Sequence, residues 1–134
     1  MILEDNSDRI RDFEAAISSL NSDYRMRLWH DAPTMLTECV SDLPNCCLIS
    51  LDHDLNSMPG ATQDPGTGLE VAELLGKQRP VCPIIIHSSN VEKRWSMHNE
   101  FRFGNWQVEI VPPIGDNWIF NSWLPRVKSL VGVS

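Results

Sequence analysis

The chain has 134 residues, 42% hydrophobic and 22% charged, with a net charge of -7. That size and apolar content predict one domain, 1–134, around one core. The acidic balance argues against a general nucleic-acid coat or an anionic-membrane binder, both of which need basic faces, but allows a nucleotide or an RNA end in a local pocket.

No stretch approaches the ~20 apolar residues of a membrane span. Met1-Ile2-Leu3-Glu4-Asp5-Asn6 lacks the basic and apolar regions of a signal peptide, so a cytoplasmic protein is expected. Residues 1–3 read as a short apolar strand that ends in Glu4-Asp5. Asn6 or Ser7 can cap a helix carrying Ile10, Phe13, Ile17 and Leu20 at helical spacing. Arg25–Trp29 alternates like a second strand. Met35, Leu36, Cys39 and Val40 mark a helix over Ala32–Val40, followed by a turn at Asp42-Leu43-Pro44-Asn45.

Cys46–Leu51 is nearly all apolar, the pattern of a strand buried on both faces. A polar, Gly- and Pro-containing loop over 56–66 follows. Thr67 and Glu70 have capping-box spacing ahead of a helix with Leu69, Val71, Ala72, Leu74 and Leu75. Val81–Ile86 is a further buried strand. Asn90 can cap a helix that runs through Trp95 and Phe101 to a stop at Gly104. Val108, Ile110 and Val111 form a fifth strand. Trp118, Ile119, Trp123, Val127, Leu130 and Val131 mark a final helix, with a kink or late start expected at Pro125. The cysteines, Cys39, Cys46, Cys47 and Cys82, lack metal-binding spacing and read as buried reduced thiols.

Alternation of strand and helix predicts an α/β fold: a three-layer, doubly wound, five-stranded parallel sheet. The flavodoxin-like strand order 2-1-3-4-5 is the leading topology. In such a sheet ligands bind beyond the carboxyl ends of the strands. Three predicted strand ends carry polar groups there: Glu4 and Asp5; Asp52, His53 and Asp54; His87, Ser88, Ser89 and Asn90. Glu4, Asp5 and Asp52 can gather around Mg²⁺ or another divalent cation such as Ca²⁺. His53 and His87 can divide acid and base roles near neutral pH. The helix starts at Thr67 and Asn90 and the side chain of Arg9 suit a phosphate. Strand alternation turns His87 away from Ser88 unless the strand ends or bulges there. His30 and His98 fall outside the pattern, and the five tryptophans read mainly as core.

The ends Glu4-Asp5 and Asp52, with Ile84-Ile85-Ile86-His87-Ser88-Ser89, resemble the receiver domains of two-component signalling. By that resemblance Asp52 stands at the phospho-accepting position and Ser88 at the Ser/Thr of strand four. Pro112-Pro113 stands where a receiver has Lys-Pro, a departure from phosphorelay chemistry. A closer resemblance is to the cyclic-phosphate-processing, receiver-like branch: Glu4-Asp5 with Arg9, Asp52-His53-Asp54-Leu55, and His87-Ser88-Ser89-Asn90 with Met97. It implies a phosphoesterase that opens a cyclic phosphodiester of a small phosphorylated ligand, a cyclic nucleotide or a cyclic-phosphate-ended RNA. One histidine would take a proton from water and the other would protonate the departing sugar oxygen. Asp52 or Asp54 would orient an imidazole, and Arg9, Ser88, Ser89, Asn90 and Thr67 would hold the phosphate. The competing expectation is a non-catalytic pseudo-receiver that binds partners through the last helix and strand, with Trp118 and Trp123 partly exposed. A true phospho-accepting receiver, modified at Asp52, is the third.

Overall fold

The computed structural model describes residues 1–21 and 23–133. Its elements are β1 (Ile2–Leu3), α1 (Ser7–Ser18), β2 (Leu28–Trp29), α2 (Ala32–Asp42), β3 (Ile49–Leu51), α3 (Gly68–Gly76), β4 (Ile84–Ile86), α4 (Val91–Phe103), β5 (Val108–Ile110) and α5 (Leu124–Val131). All neighbouring strands pair in parallel, in the order β2-β1-β3-β4-β5. This is the doubly wound receiver-like topology, with helices on both faces. Leu3, Ile49, Leu51, Ile84 and Ile86 pack against α2, α3 and α4. Ile2 and Ile85 point the other way, onto Phe13 of α1 and Trp123 and Val127 of the C-terminal segment. The period-two alternation of strand side chains divides the core into these two layers.

Helix boundaries follow local chemistry. The Asn6 side chain accepts from the Arg9 N–H, Asp31 from Thr34 and Asn90 from Lys93, each satisfying a backbone donor that the first turn leaves free. The Thr67–Glu70 capping box is formed. Pro125 falls in the first turn of α5, where a missing N–H is harmless, and a wider π-type turn over Ile119–Trp123 precedes it. The final helix therefore has the late start that its proline implies.

Several strands are shorter than their apolar runs. Ladder pairing of β3 with β4 begins where Ile49 N–H donates to the Pro83 carbonyl. Cys46 and Cys47 lie outside that ladder, and Val81 is exposed. The cysteines need correcting: only Cys39 is buried, Cys46 and Cys82 are half-buried, and Cys47 is exposed. Val40 and Trp95 are exposed as well, since the buried stripes of their helices run through Met35 and Cys39 and through Met97 and Phe101. Trp118 and Trp123 are buried, against the exposure that the interaction-module reading requires. Among the described residues no helix is long and apolar enough to cross a membrane.

The loop from β3 to α3 is tied back to the body of the fold. Ala32 N–H donates to the Pro65 carbonyl at 2.7 Å, and Gly68 N–H donates to the His53 carbonyl at 3.0 Å. A Cβ on Gly68 would lie 1.9 Å from the Asp52 carbonyl oxygen, so α3 can start this close to β3 only with glycine. On helix propensity alone Gly68→Ala would stabilise by up to ~1 kcal/mol. The steric conflict reverses the sign: urea denaturation is expected to show a loss on the order of 1–3 kcal/mol, and a stabilised variant would contradict this packing.

Candidate active site

The sheet register creates the site. Ile2 pairs with Ser50 and Ser50 with Ile85, so these three share one row on the α1/α5 face. Two residues further along each strand come Glu4, Asp52 and His87, again side by side on that face. The ladder continues through the Asp52 N–H to the Leu3 carbonyl and the His87 N–H to the Leu51 carbonyl. Glu4, Asp52 and His87 thus present donor atoms that all lie within 4.8 Å of one another, and all three residues are buried.

His87 has no ring nitrogen to spare. Its Nε2 is 3.2 Å from Glu4 Oε1 and its Nδ1 is 2.7 Å from Ser50 Oγ. Trp123 Nε1–H donates to the same Ser50 oxygen at 3.0 Å. Nε2–H donates to Glu4, and Nδ1 and the Ser50 hydroxyl share one hydrogen between them. The ring lies between Phe13 and Trp118, 5.1 and 5.9 Å away between centroids. Strand alternation therefore sends His87 into the α1/α5 layer, as its position one residue after Ile86 implies. Ser88 is buried too, and its Oγ accepts from the Asn90 N–H at the start of α4.

The carboxylates are held differently. Glu4 Oε2 accepts from the backbone N–H groups of Asp5 and Asn6, each at 3.1 Å. Burial pushes the Glu4 carboxyl up, but the hydrogen bond and charge of His87, the Asn6 N–H and the Arg9 guanidinium outweigh it, leaving Glu4 below its ordinary value. Burial also pushes Asp52 up, with the Glu4 charge acting in the same direction; against the opposition of His87, the His53 N–H and Arg9 it still reaches about 6. Arg9 Nη1 stands 3.6 Å from both Glu4 and Asp52, with its guanidinium over the Trp118 ring.

His53 is the contrasting imidazole. Its backbone N–H donates to Asp52 Oδ1 at 2.7 Å, and its Nδ1 is 2.8 Å from Asp54 Oδ1. Asn90 Nδ2 donates to Asp54 Oδ2 at 3.3 Å. Nδ1–H donation to Asp54 leaves Nε2 as the lone-pair nitrogen, and Nε2 makes no hydrogen bond among the described residues.

Other site residues expected from sequence lie at the margins. Asp5 is not in the acidic cluster; its Oδ2 accepts from Asn56 N–H at 2.6 Å, because the residue after Glu4 points away from the Glu4 row. Thr67 N–H is taken by Glu70 Oε1, and Gly68 N–H by His53, so neither is free for a phosphate. Ser89 is exposed at the rim. The sequence does not point to Ser50, Phe13, Trp118 and Trp123 as part of this site. The serine interrupting Leu48–Leu51 was the available signal, since it lies two residues before Asp52 and so shares its face.

The donor set bears on the expected cation. With Asp5 turned away, the three oxygens expected to hold Mg²⁺ are not brought together. Two carboxylates and one imidazole suit a divalent cation that accepts nitrogen as well as oxygen.

The raised Asp52 pKa has a sign that can be checked. Folding shifts it from an ordinary 3.8 to about 6, favouring the protonated form. The stability this contributes is present below pH ~4 and is lost as pH rises through about 6. Asp52→Asn escapes that loss, so its stability relative to the parent protein should improve by about 2–3 kcal/mol between pH 4 and pH 7.5, at ~1.4 kcal/mol per pK unit. Urea denaturation of both proteins at the two pH values measures this, and a pH-independent difference would refute the raised pKa.

Residues 3–103 match the family described as Cyclic-phosphate processing Receiver domain. No curated protein sequence matches the chain. Among solved structures, the chain is similar to the response regulator receiver domain from Rhodospirillum rubrum, with a TM-score of 0.60 and 15% identity, over 97% of this chain and 88% of that one. At that identity the likeness speaks for the fold alone. With most of its length, including Glu4, the Asp52-His53-Asp54 turn and β4, inside the match, this chain belongs to the cyclic-phosphate processing receiver domain family.

Proposed function

We propose that this chain is a cytoplasmic phosphoesterase that opens a cyclic phosphodiester in a small phosphorylated ligand, a cyclic nucleotide or a 2′,3′-cyclic-phosphate-ended RNA. The observation that carries this reading is the His53 imidazole, held at Nδ1 by Asp54 and unpartnered at Nε2, on the residue that follows Asp52, whose carboxyl has a pKa raised to about 6. Two groups of this kind suit the two proton transfers of an in-line hydrolysis.

In this mechanism His53 Nε2 takes a proton from water as its oxygen attacks phosphorus. The bond from phosphorus to one ring oxygen breaks on the opposite side, and Asp52 gives its proton to that departing sugar oxygen. The product is a phosphomonoester, and proton exchange with solvent restores both groups. Arg9 stabilises the charge growing on the phosphoryl oxygens, with Ser89 and Asn90 at the rim. Asp54 positions His53, and Asn90 positions Asp54. His87, with both ring nitrogens engaged, acts through Glu4 as a positioning residue. A cleft of about 230 Å³ lined by His30, Asp31, Asn56 and Gln63 adjoins the Asp5–Asn56 link and offers polar groups for the rest of the ligand.

A divalent cation held by Glu4, Asp52 and His87 would replace the hydrogen bond from His87 Nε2 to Glu4, with Arg9 displaced. Bound there, it would supply Lewis-acid polarisation of a phosphoryl oxygen.

The test is a panel of cyclic nucleotides and cyclic-phosphate-ended oligonucleotides, assayed with and without chelator. His53→Ala is expected to lose 10²–10⁴-fold in kcat/KM, roughly the worth of a general base. On the alkaline side kcat/KM should fall as Asp52 deprotonates through about 6, and Asp52→Asn should abolish that limb together with most of the rate. Full turnover by both variants would end this reading.

A second reading, a non-catalytic interaction module, draws on Val91 and Trp95, exposed one turn apart on α4. It gains if the parent protein turns over nothing in the panel.

A further inference from the structure

At the end of β3 opposite Asp52, Cys46 and Cys82 meet. They precede β3 and β4, both are half-buried, and their sulfurs are 3.8 Å apart. Their segments lead directly into adjacent parallel strands, whose ladder begins at Ile49 and Pro83, so a bond of ~2.0 Å requires side-chain rotation and a small shift rather than refolding. Cys47, the next residue, is exposed and borders the cavity with Ile17 and Trp123 on the α1/α5 side as well as a surface cleft that Cys46 also lines, whereas Cys46 and Cys82 pack against the opposite layer. Three thiols are thus clustered, but only two are paired.

We propose that Cys46 and Cys82 form a peroxide-reactive dithiol that closes to an intrachain disulfide. Cys46 is the attacking sulfur. The hydrogen bond from Cys82 draws the Cys46 thiol down against the effect of burial, and the same contact pushes Cys82 up. One proton therefore leaves the pair easily and the second is retained. In the first step the Cys46 thiolate attacks hydrogen peroxide: an S–O bond forms, the O–O bond breaks, and hydroxide departs. In the second, Cys82 Sγ attacks Cys46 Sγ. The S–S bond forms, the S–O bond breaks, and the Cys82 proton leaves with the hydroxyl group as water. Two thiols and one peroxide become one disulfide and, after protonation of the first hydroxide, two waters. The oxidant is the peroxide, and the sulfurs supply both electrons.

The proposal is independent of the phosphoesterase reading and is tested without an activity assay. The reduced full chain is treated with stoichiometric hydrogen peroxide at pH 7, then analysed by intact mass and non-reducing peptide mapping. The expected product is monomeric, two hydrogens lighter, linked between Cys46 and Cys82, and reversed by dithiothreitol. Cys82→Ser should accumulate sulfenic acid on Cys46, trapped by dimedone, while Cys47→Ser should close as readily as the parent. Before oxidation, Cys46 should react with iodoacetamide roughly tenfold faster than Cys82. Oxidation appearing first on Cys47, or a Cys47-linked dimer as the main product, overturns the proposal. If Cys82→Ser does not fold, the map of the parent protein decides.

Discussion

Glu4 is a carboxylate removed entirely from water, and the architecture around the site depends on how its charge is met. A buried ion without partners is prohibitively unfavourable. Here one oxygen takes two backbone N–H groups where the chain turns from β1 towards α1, and the other takes His87. The polar line continues through Ser50 to the indole of Trp123, crossing three strands of the sheet and ending in the turn before α5. Phe13 and Trp118 close it off from solvent, and Arg9 lies over Trp118 with its charge towards both carboxylates. Removing one member would strand another, so the network fixes α1 and the C-terminal segment against the sheet as one unit.

That commitment separates two histidines that look equivalent in sequence. His87 is integrated into the core, where its aromatic neighbours and both hydrogen bonds define a single orientation. His53 lies past the end of β3, where the backbone turns and Asp54 and Asn90 can support one side of its ring while the other stays free. A receiver-like acidic edge thereby acquires a group suited to proton transfer next to a carboxyl that ionises late. The same register that buries Glu4 also makes Asp52 hard to ionise, because two carboxyls in one row share a desolvated space.

Much of this was legible in the sequence. Strand order and layering follow from alternating apolar runs, and the caps at Asn6, Thr67 and Asn90 follow from side chains that can accept from the first helical turn. The gathering of Glu4, Asp52 and His87 follows from three strand ends on one edge. What the sequence concealed was direction. Asp5 and Glu4 are neighbours, and only the pleat decides that one enters the row while the other ties down Asn56. The engagement of His87 depends on Ser50 and Trp123, which are 37 and 36 residues away from it in opposite directions along the chain, so no local pattern pairs them with it. Strand lengths were overestimated because apolar content reports burial, whereas strand pairing requires a partner backbone, and Pro83 limits where that begins.

The ties at Asp5–Asn56 and Ala32–Pro65 divide the long loop after β3 into anchored ends and an unanchored middle. Chain length between the ties is therefore decoupled from the register of the sheet. Inserting residues around Gly60, whose surroundings are open, adds only slowly growing closure entropy, about 0.6 kcal/mol per doubling of length. The same middle segment forms one wall of the cleft beside His30. The fold thus keeps its chemistry on the rigid strand ends and its adjustable contour on a detachable rim, where ligand preference can be retuned without repacking the core.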